Sequence, residues 1–535
     1  MNKLNKYIQW YIALLVIALF TGCNVLDVDP KDALGGKGFY QDDKDAFAVK
    51  TGLYNTLQSL VEEQMIFGEL RADLISPARG AKHHRDYLEF MDNNVSAGNK
   101  FLDWTNYYTL INQCNDALES LPMVSGFDPD VNQMMYNHIY GEILWLRSWA
   151  YFSLVRNWGD VPFITKPVLS VNDAVAIAPT DENIILDQLE DDLMWASKHV
   201  FVNWGWGKGS RIDAMWNHET VNMCATIGLL ADVLIYRDKF EEAWTQDVLL
   251  KILTKQQVNR DDPSTQEDWH NSFNLTGGNL DQGKEWFNVM FRYANERYKS
   301  SWREQGLVLA FDSENYGGGG GIYNEAHQLV WMTSNDKSAG GAYIVKPSEV
   351  AVRKWKLNVD EFRGEGYSYY IDKNERYTDT LIWKNVGIDP EGNMREPFQT
   401  YGNVNILRTA HLYLKGAEVA NRLGHIGKAI ELINECRLRV SLGAAPVNSS
   451  ATIEEVEDAI MEERALELAF EGERWYDLVR IAKRRNDPNY LIDRVVDSVP
   501  ASERDALRAR LQLQALNGWK LPYGTNARQL NPKLN

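Results

Sequence analysis

The stretch "IYGEILWLRSWAYFSLVRNWGDVP" (139–162) decides how this chain must fold. Its apolar side chains fall on nearly every face of a helix with 3.6 residues per turn, so no polar stripe is left for solvent. A helix of that kind is buried all round and needs other helices to surround it. Its end is marked as well: Gly159 suits a left-handed C-cap, and Pro162 just beyond stops the helix from continuing. Arg147 and Arg156 are its cations, and inside a helical core each is expected to pair with a carboxylate on a neighbouring helix.

Outward from this stretch, helical spacing marks 44–62, 101–121, 133–158, 181–199, 217–253, 403–441 and 452–485. Two of these share a pattern, because "ADVLIYRDKFEEA" (231–243) aligns without gaps on "AEVANRLGHIGKA" (417–429). Both begin and end with Ala, carry an acid and Val after the first Ala, and place a large apolar residue three before the last Ala. Small residues let two helices approach closely, which is the grammar of a tetratricopeptide helix pair.

Between the copies, about 255–400, the pattern changes. "TGGNLDQGKEW", "NYGGGGGIYNE" and "SAGGAYIVKP" are glycine clusters that break periodicity, with short β-type runs such as "FNVMFRY" between them. The expected fold is mostly α: an α/α superhelix of tetratricopeptide-like helix pairs supporting a loop-rich, irregular region with a few short strands. A single domain is expected over 44–535. Its helical scaffold covers about 44–254 and 401–485, its loop-rich excursion about 255–400, and its C-terminal tail 486–535.

The N-terminus reads separately. Lys3 and Lys6 precede an apolar core, residues 8–20, broken only by Gln9. A spanning helix needs roughly 20 apolar residues, so this shorter run is expected to be a leader, residues 1–22. Gly22-Cys23 at its end resembles a bacterial lipoprotein signal, in which the cysteine is acylated and becomes the new N-terminus. Phe20 stands where such signals usually carry Leu, Val or Ile. Residues 23–43, beginning with the acidic "CNVLDVDP", then form a tether. The other cysteines, Cys114, Cys224 and Cys436, are three, far apart and within helical patterns. They are expected to be buried free thiols rather than a disulfide framework or a metal site.

The chain has 535 residues, 44% of them hydrophobic, and a net charge of −18. Loss of Lys3 and Lys6 with the leader makes it more acidic still. Such a surface argues against nucleic acid as a partner and favours solubility. The 18 Trp and 25 Tyr offer flat apolar faces with polar edges, which suit sugar rings as well as cores.

Four stretches in order then resemble one family, the SusD/RagB-like outer-membrane lipoproteins: "CNVLDVDP" after the lipidation site, "LRSWAYFSLVRNWGDVPFIT" (146–165), "ILRTAHLYLKGAEVANRLG" (406–424) with "INECRLR", and "IMEERALELAFEGERWYDLVR" (460–480) with the tail "LPYGTNARQLNPKLN". The resemblance implies four tetratricopeptide-like units beneath an irregular face. It implies an outer-membrane protein, lipid-anchored and facing outward, that captures oligosaccharide and delivers it to a TonB-dependent barrel of the SusC type, without chemistry or cofactor of its own. A peptide ligand within the same family, an adaptor that uses its repeats only for protein contacts, and a surface glycoside hydrolase are the alternatives.

The hydrolase reading rests on the acidic run after Thr452, since sugar hydrolysis uses two carboxylates. However, Thr452 and Glu455 form a capping box. Glu463, Glu467 and Glu471 recur every four residues, with Arg464 and Arg474 nearby, as an interhelical ion-pair row would. Neither a phosphate-binding loop nor a nucleophile elbow nor a zinc motif is present.

The expected ligand-binding residues lie elsewhere. "PARGAKHHRD" carries Arg79, His83 and His84 with Lys82 and Arg85, a basic loop able to meet an acidic sugar or a ligand carboxylate. No third ligand stands at metal-binding spacing from the two histidines. Asp73 just upstream can bind sugar hydroxyls or cap a helix. Tyr316, Tyr323 and Trp331 flank the five-glycine run 317–321, where exposed aromatics point to contact with a ligand, the scaffold or the transporter. Trp104 is expected in the core.

Overall fold

The computed structural model describes residues 43–121, 133–170, 175–201, 220–253, 304–309, 332–333, 341–357, 363–373, 376–384, 404–440 and 445–535. The leader, Cys23, Tyr316, Tyr323 and Trp331 lie outside the described residues. Within them the order of elements is α1 (Asp43–Gln58), α2 (Val61–Glu69), β1 (Ile75–Pro77), α3 (Arg85–Met91), α4 (Thr105–Ser120), α5 (Gln133–Trp158), β2 (Val161–Pro162), β3 (Pro179–Thr180), α6 (Glu182–His199), α7 (Met223–Tyr236), α8 (Phe240–Ala243) and α9 (Leu249–Leu253). There follow β4 (Gln305–Leu309), β5 (Val345–Pro347), α10 (Glu349–Lys356), β6 (Tyr369–Lys373), β7 (Thr378–Ile382), β8 (Val404–Arg408), α11 (Thr409–Arg422), α12 (Ile426–Leu438), α13 (Ile453–Glu467), α14 (Arg474–Arg484), α15 (Asn489–Asp497), α16 (Arg504–Ala515) and α17 (Thr525–Leu530).

The mostly helical architecture expected from the spacing is present. The helix read as buried all round is α5, packed between α4 and α6. Trp145, Leu146, Ala150, Tyr151 and Leu154 are at most 1% exposed although they point in different directions around it. Gly159 closes it at φ +78°, a left-handed value that suits glycine, and the Gly159 N–H donates to the Val155 carbonyl at 2.9 Å. Arg147 pairs as expected, with Asp192 on α6 at 2.7 Å. Arg156 does not. Its guanidinium lies 4.6 Å from the centre of the Phe152 ring and 4.0 Å from that of Tyr476, with no carboxylate in ion-pair contact among the described residues. Cys114, Cys224 and Cys436 are buried free thiols; burial pushes the Cys114 thiol up to about 12.

The two aligned segments are the same object. Each runs off the end of a helix, α7 or α11, through a turn and into the next, α8 or α12. All four terminal alanines, Ala231, Ala243, Ala417 and Ala429, are fully buried. The alignment places Asp238 opposite Gly424, and both adopt left-handed backbone, φ +54° and +79°. The turn needs that conformation, and Asp is among the few side chains that tolerate it. This turn also breaks the helix expected over 217–253. The start of 403–441 departs too: residues 404–408 form a strand, because β8 is captured by β4.

The described strands form four antiparallel pairs: β1–β5, β2–β3, β4–β8 and β6–β7. Two of them join the excursion to distant chain: Ile75 registers with Pro347, and Val308 with Asn405. The acidic row, with Glu463 and Glu467 on α13 and Glu471 in the turn just after it, completes the attachment. Thr452 and Glu455 make the capping box, with bonds of 3.2 and 2.8 Å, and the row is an ion-pair network. Its main partners differ from the arginines next to it in sequence. Arg464 turns to Asp477 at 2.7 Å and Arg474 to Asp73 at 2.7 Å. Glu463 instead meets Arg363 at 2.8 Å and Arg437 at 3.2 Å. Glu467 meets Arg363 at 2.6 Å, Arg408 at 2.7 Å and Arg439. Glu471 meets Lys384 at 2.6 Å and Arg408 at 2.7 Å. Arg363 and Lys384 belong to the excursion, so these carboxylates bind it to the helices.

A second buried network ties α1 to α5. The Lys50 ammonium and the Tyr54 hydroxyl each donate to Glu142 at 2.8 Å, and His138 lies 2.9 Å from the same carboxylate. Burial acts to raise the Glu142 carboxyl, but Lys50 and His138 outweigh it and hold it near about 2. A depressed carboxyl stabilises the fold above its unfolded pKa, and that contribution is lost as pH falls through the folded value. Urea unfolding of the wild type is therefore expected to weaken from about pH 4.5 toward pH 2, with about 3 kcal/mol of the loss due to this group. Glu142→Gln is expected to flatten that limb; an unchanged slope would remove Glu142 from the account.

Candidate binding face

The β1–β5 ladder continues past its last pair: Ala78 N–H donates to the Ile344 carbonyl at 2.8 Å, and Gly80 N–H to that of Tyr343 at 2.9 Å. The two backbones come so close at Gly80 that a Cβ there would stand 1.8 Å from the Ala342 oxygen. Between these two anchored residues Arg79 projects outward, with its side chain 42% exposed. Its Nη1 pairs with Asp379 on β7 at 2.7 Å. Its guanidinium lies 4.2 Å from the Tyr377 ring centre and 5.2 Å from that of Tyr343. Tyr343 is held in left-handed backbone at φ +46°, and its hydroxyl donates to the Thr380 carbonyl at 3.0 Å. Ala78, Tyr343, Leu381 and Trp383 form a small core of their own beneath this face. Tyr370 stacks on Trp383, ring centres 4.8 Å apart, and is 42% exposed.

The basic loop adjoins this cluster. His83 is exposed and His84 half-buried, with the His84 ring edge-on to Tyr87 at 6.1 Å. Burial, with His83 and Lys100 adding to it, lowers the His84 pKa, which leaves that ring neutral at neutral pH. Arg85 pairs with Glu89 at 2.9 Å. The arrangement is two part-exposed aromatic rings, Tyr370 and Tyr377, over two buried ones, with one cation, one carboxylate and a basic rim. Flat rings with a few fixed polar groups beside them are the usual make-up of a small-ligand site.

Arg79 lies in this cluster, and His83 and His84 follow in the adjoining turn. Asp73 does not join them. It is 1% exposed, and both its oxygens accept from Arg474, Oδ1 from Nε at 2.7 Å and Oδ2 from Nη2 at 2.9 Å. Burial would raise this carboxyl, but Arg474 outweighs it and holds it down. The ligand role expected for Asp73 is corrected to a link between the β1 strand and α14. Tyr370, Tyr377, Asp379 and Trp383 were not singled out from sequence. The signal was there in "YSYYIDKNERYTDTLIW" (367–383), two alternating runs around a polar turn. Trp104 is 8% exposed and lies in the core. Glu463 and Glu467, the carboxylates of the hydrolase reading, are at most 1% exposed and held by arginines. Among the described residues no group of three His, Cys, Asp or Glu is placed to hold a metal ion.

A scaffold of helical repeats that presents aromatic rings and a few polar groups on irregular chain is built for binding. Comparison with known proteins makes this specific. Residues 237–535 match the SusD family, and residues 48–201 match a family described as starch-binding, associating with outer membrane. The chain belongs to the SusD family. It is similar to SusD-like protein P38 of Formosa agariphila, 26% identical over 514 residues, which cover 90% of this chain and 93% of that one. A SusD superfamily protein from Bacteroides thetaiotaomicron shares its fold with a TM-score of 0.69 at 18% identity, covering 92% of this chain and 98% of that one. So does a laminarin-binding SusD-like protein, with a TM-score of 0.65 at 20% identity over 92% of this chain and 98% of that one.

Proposed function

We propose that this chain is a cell-surface glycan-binding lipoprotein that captures oligosaccharide and passes it to a SusC-like TonB-dependent barrel. Membership of the SusD family supports the class, and the laminarin-binding neighbour supports a glucan-type ligand. The observation that carries the reading is the Arg79 face. Tyr370, backed by the buried Trp383, and Tyr377 offer ring surface to a sugar, while Arg79, steadied by Asp379, offers a donor at its edge. His83 and His84 extend it, with Tyr316, Tyr323 and Trp331 as further contacts. Acylation at Cys23 after removal of residues 1–22 would anchor the protein, as the Gly22-Cys23 pair at the end of the apolar run suggests.

Titration calorimetry against laminarin, starch and peptide panels tests this. One glycan class is expected to bind, and the double change Arg79→Ala/Tyr377→Ala is expected to weaken it at least about tenfold, the loss of one stacked ring and one charge-assisted bond. Tight peptide binding with no glycan response would replace the sugar reading.

A further inference from the structure

We propose that the cavity between α5, α7 and α14 is a binding site for a small oxyanion, held by Arg156 and Lys483. It has a volume of about 240 Å³ and shares no lining residue with the Arg79 face. The cations on its walls are Arg156, Lys415, Arg464, Arg480, Lys483 and Arg484. Four of these are spoken for: Lys415 by Asp232 at 2.8 Å, Arg464 by Asp477 at 2.7 Å, Arg480 by Glu418 at 2.8 Å, and Arg484 by Glu418 at 2.8 Å and Glu457 at 3.0 Å. Arg156 and Lys483 make no ion pair among the described residues. The acids balance differently. Asp232, Asp238 and Glu182 are each held by a cation, the last by Lys520 at 3.0 Å. Only Glu473 is loosely met, with its nearest cation, Arg464, 3.7 Å away.

A cation inside a protein is normally paired, because an unpaired buried charge is costly. Arg156 is half-buried and makes no ion pair among the described residues, with Glu473 acting on it only at longer range. Its plane is gripped between Phe152 and Tyr476, which fixes the direction of its donors. Its Nε is enclosed without an acceptor. Lys483 sits at the edge of the same space, beside Gly518, where a Cβ would stand 3.0 Å from its Nζ. A planar fork and a point charge facing one cavity are the two usual ways of holding phosphate, sulfate or carboxylate. Burial and Asp232 raise the Glu473 carboxyl against the pull of Lys415, Arg156 and Arg464, so Glu473 is the one acid on the walls that a bound anion would have to face. A bound oxyanion would join α5 and α7, from the first half of the scaffold, to α14 and the chain around Gly518, from the second.

The test uses the detergent-solubilised full chain, with melting followed during titration by sodium phosphate, sodium sulfate or sodium acetate, each against sodium chloride of equal ionic strength. Binding to the native state raises the melting temperature in a saturable way. Phosphate or sulfate is expected to do so, and acetate alone would identify a carboxylate site. Lys483→Met changes an exposed side chain, so folding is preserved, and it is expected to weaken the response about tenfold, as for loss of one charge-assisted contact. Arg156→Gln is expected to abolish the response, and Glu473→Gln, by removing a carboxylate, to tighten it. A response no different from chloride, or a saturable response unaltered by Lys483→Met, would overturn the proposal.

Discussion

Arg408→Met is expected to destabilise the protein by about 3–5 kcal/mol, the range for removing one partner from a buried ion pair. Arg408 is fully buried. Its Nε donates to Glu471 at 2.7 Å, and its Nη1 to Glu304 at 3.0 Å and Glu467 at 2.7 Å. Its Nη2 donates to the Glu467 carbonyl at 2.8 Å and to Glu471 at 2.8 Å. Methionine fills the space but leaves three carboxylates short of donors in a place water does not reach. Burial would raise the Glu467 and Glu471 carboxyls, but the arginines and Lys384 outweigh it and hold both low. Their contribution is therefore present above the ordinary carboxylate range and is lost as pH falls below it. Urea unfolding at neutral pH measures the change, and the gap between wild type and variant is expected to narrow in acid. A loss under about 1 kcal/mol would mean that Arg363, Arg439 and Lys384 re-pair with the freed carboxylates.

Gly68→Ala is expected to be at least as damaging. A Cβ on Gly68 would stand 1.8 Å from the Gly472 oxygen, inside any permitted contact and against backbone rather than a side chain that could move. Gly472 is held from the other side: it sits at φ +86°, and its own Cβ would be 2.8 Å from the Gln64 carbonyl oxygen. Glu69 accepts from Gly472 N–H at 3.0 Å and from Glu473 N–H at 3.3 Å. Helix α2 and the entry to α14 are thus pressed together and cross-bonded. Separating them disrupts packing and hydrogen bonds at once, so a loss above about 4 kcal/mol is expected. Soluble yield and thermal unfolding would show it. Gly98→Ala, with nothing within 4 Å of the added carbon, is the control and is expected to change stability by no more than about 0.5 kcal/mol.

Which features were legible in the sequence follows from how far apart in the chain the partners lie. The α5 helix, its glycine stop and the capping box at Thr452 are short-range matters, settled within a few residues. Periodicity and turn chemistry report them directly. The partners of charged residues are long-range. Glu463, Glu467 and Glu471 were readable as an ion-pair row, but Arg363, Lys384 and Arg408 lie 59 to 104 positions from the glutamates they bond. Asp73 failed for the same reason: it looked like a free acid near a basic loop, whereas its partner, Arg474, is 401 positions away. On the candidate face, Arg79 and its loop stood out because basic residues cluster there. Tyr377 and Asp379 were not, since only the folding of the β6–β7 hairpin against β5 brings them beside Arg79.

The attachment of the excursion has a use in engineering. Among its described residues, Glu304, Arg363 and Lys384 are all directed at one set of fixed charges. A transplanted segment that kept those three plugs, and the β4 strand that pairs with β8, would find its sockets ready on α13 and Arg408. Chimaeras cut at these positions would let one helical chassis carry interchangeable recognition surfaces.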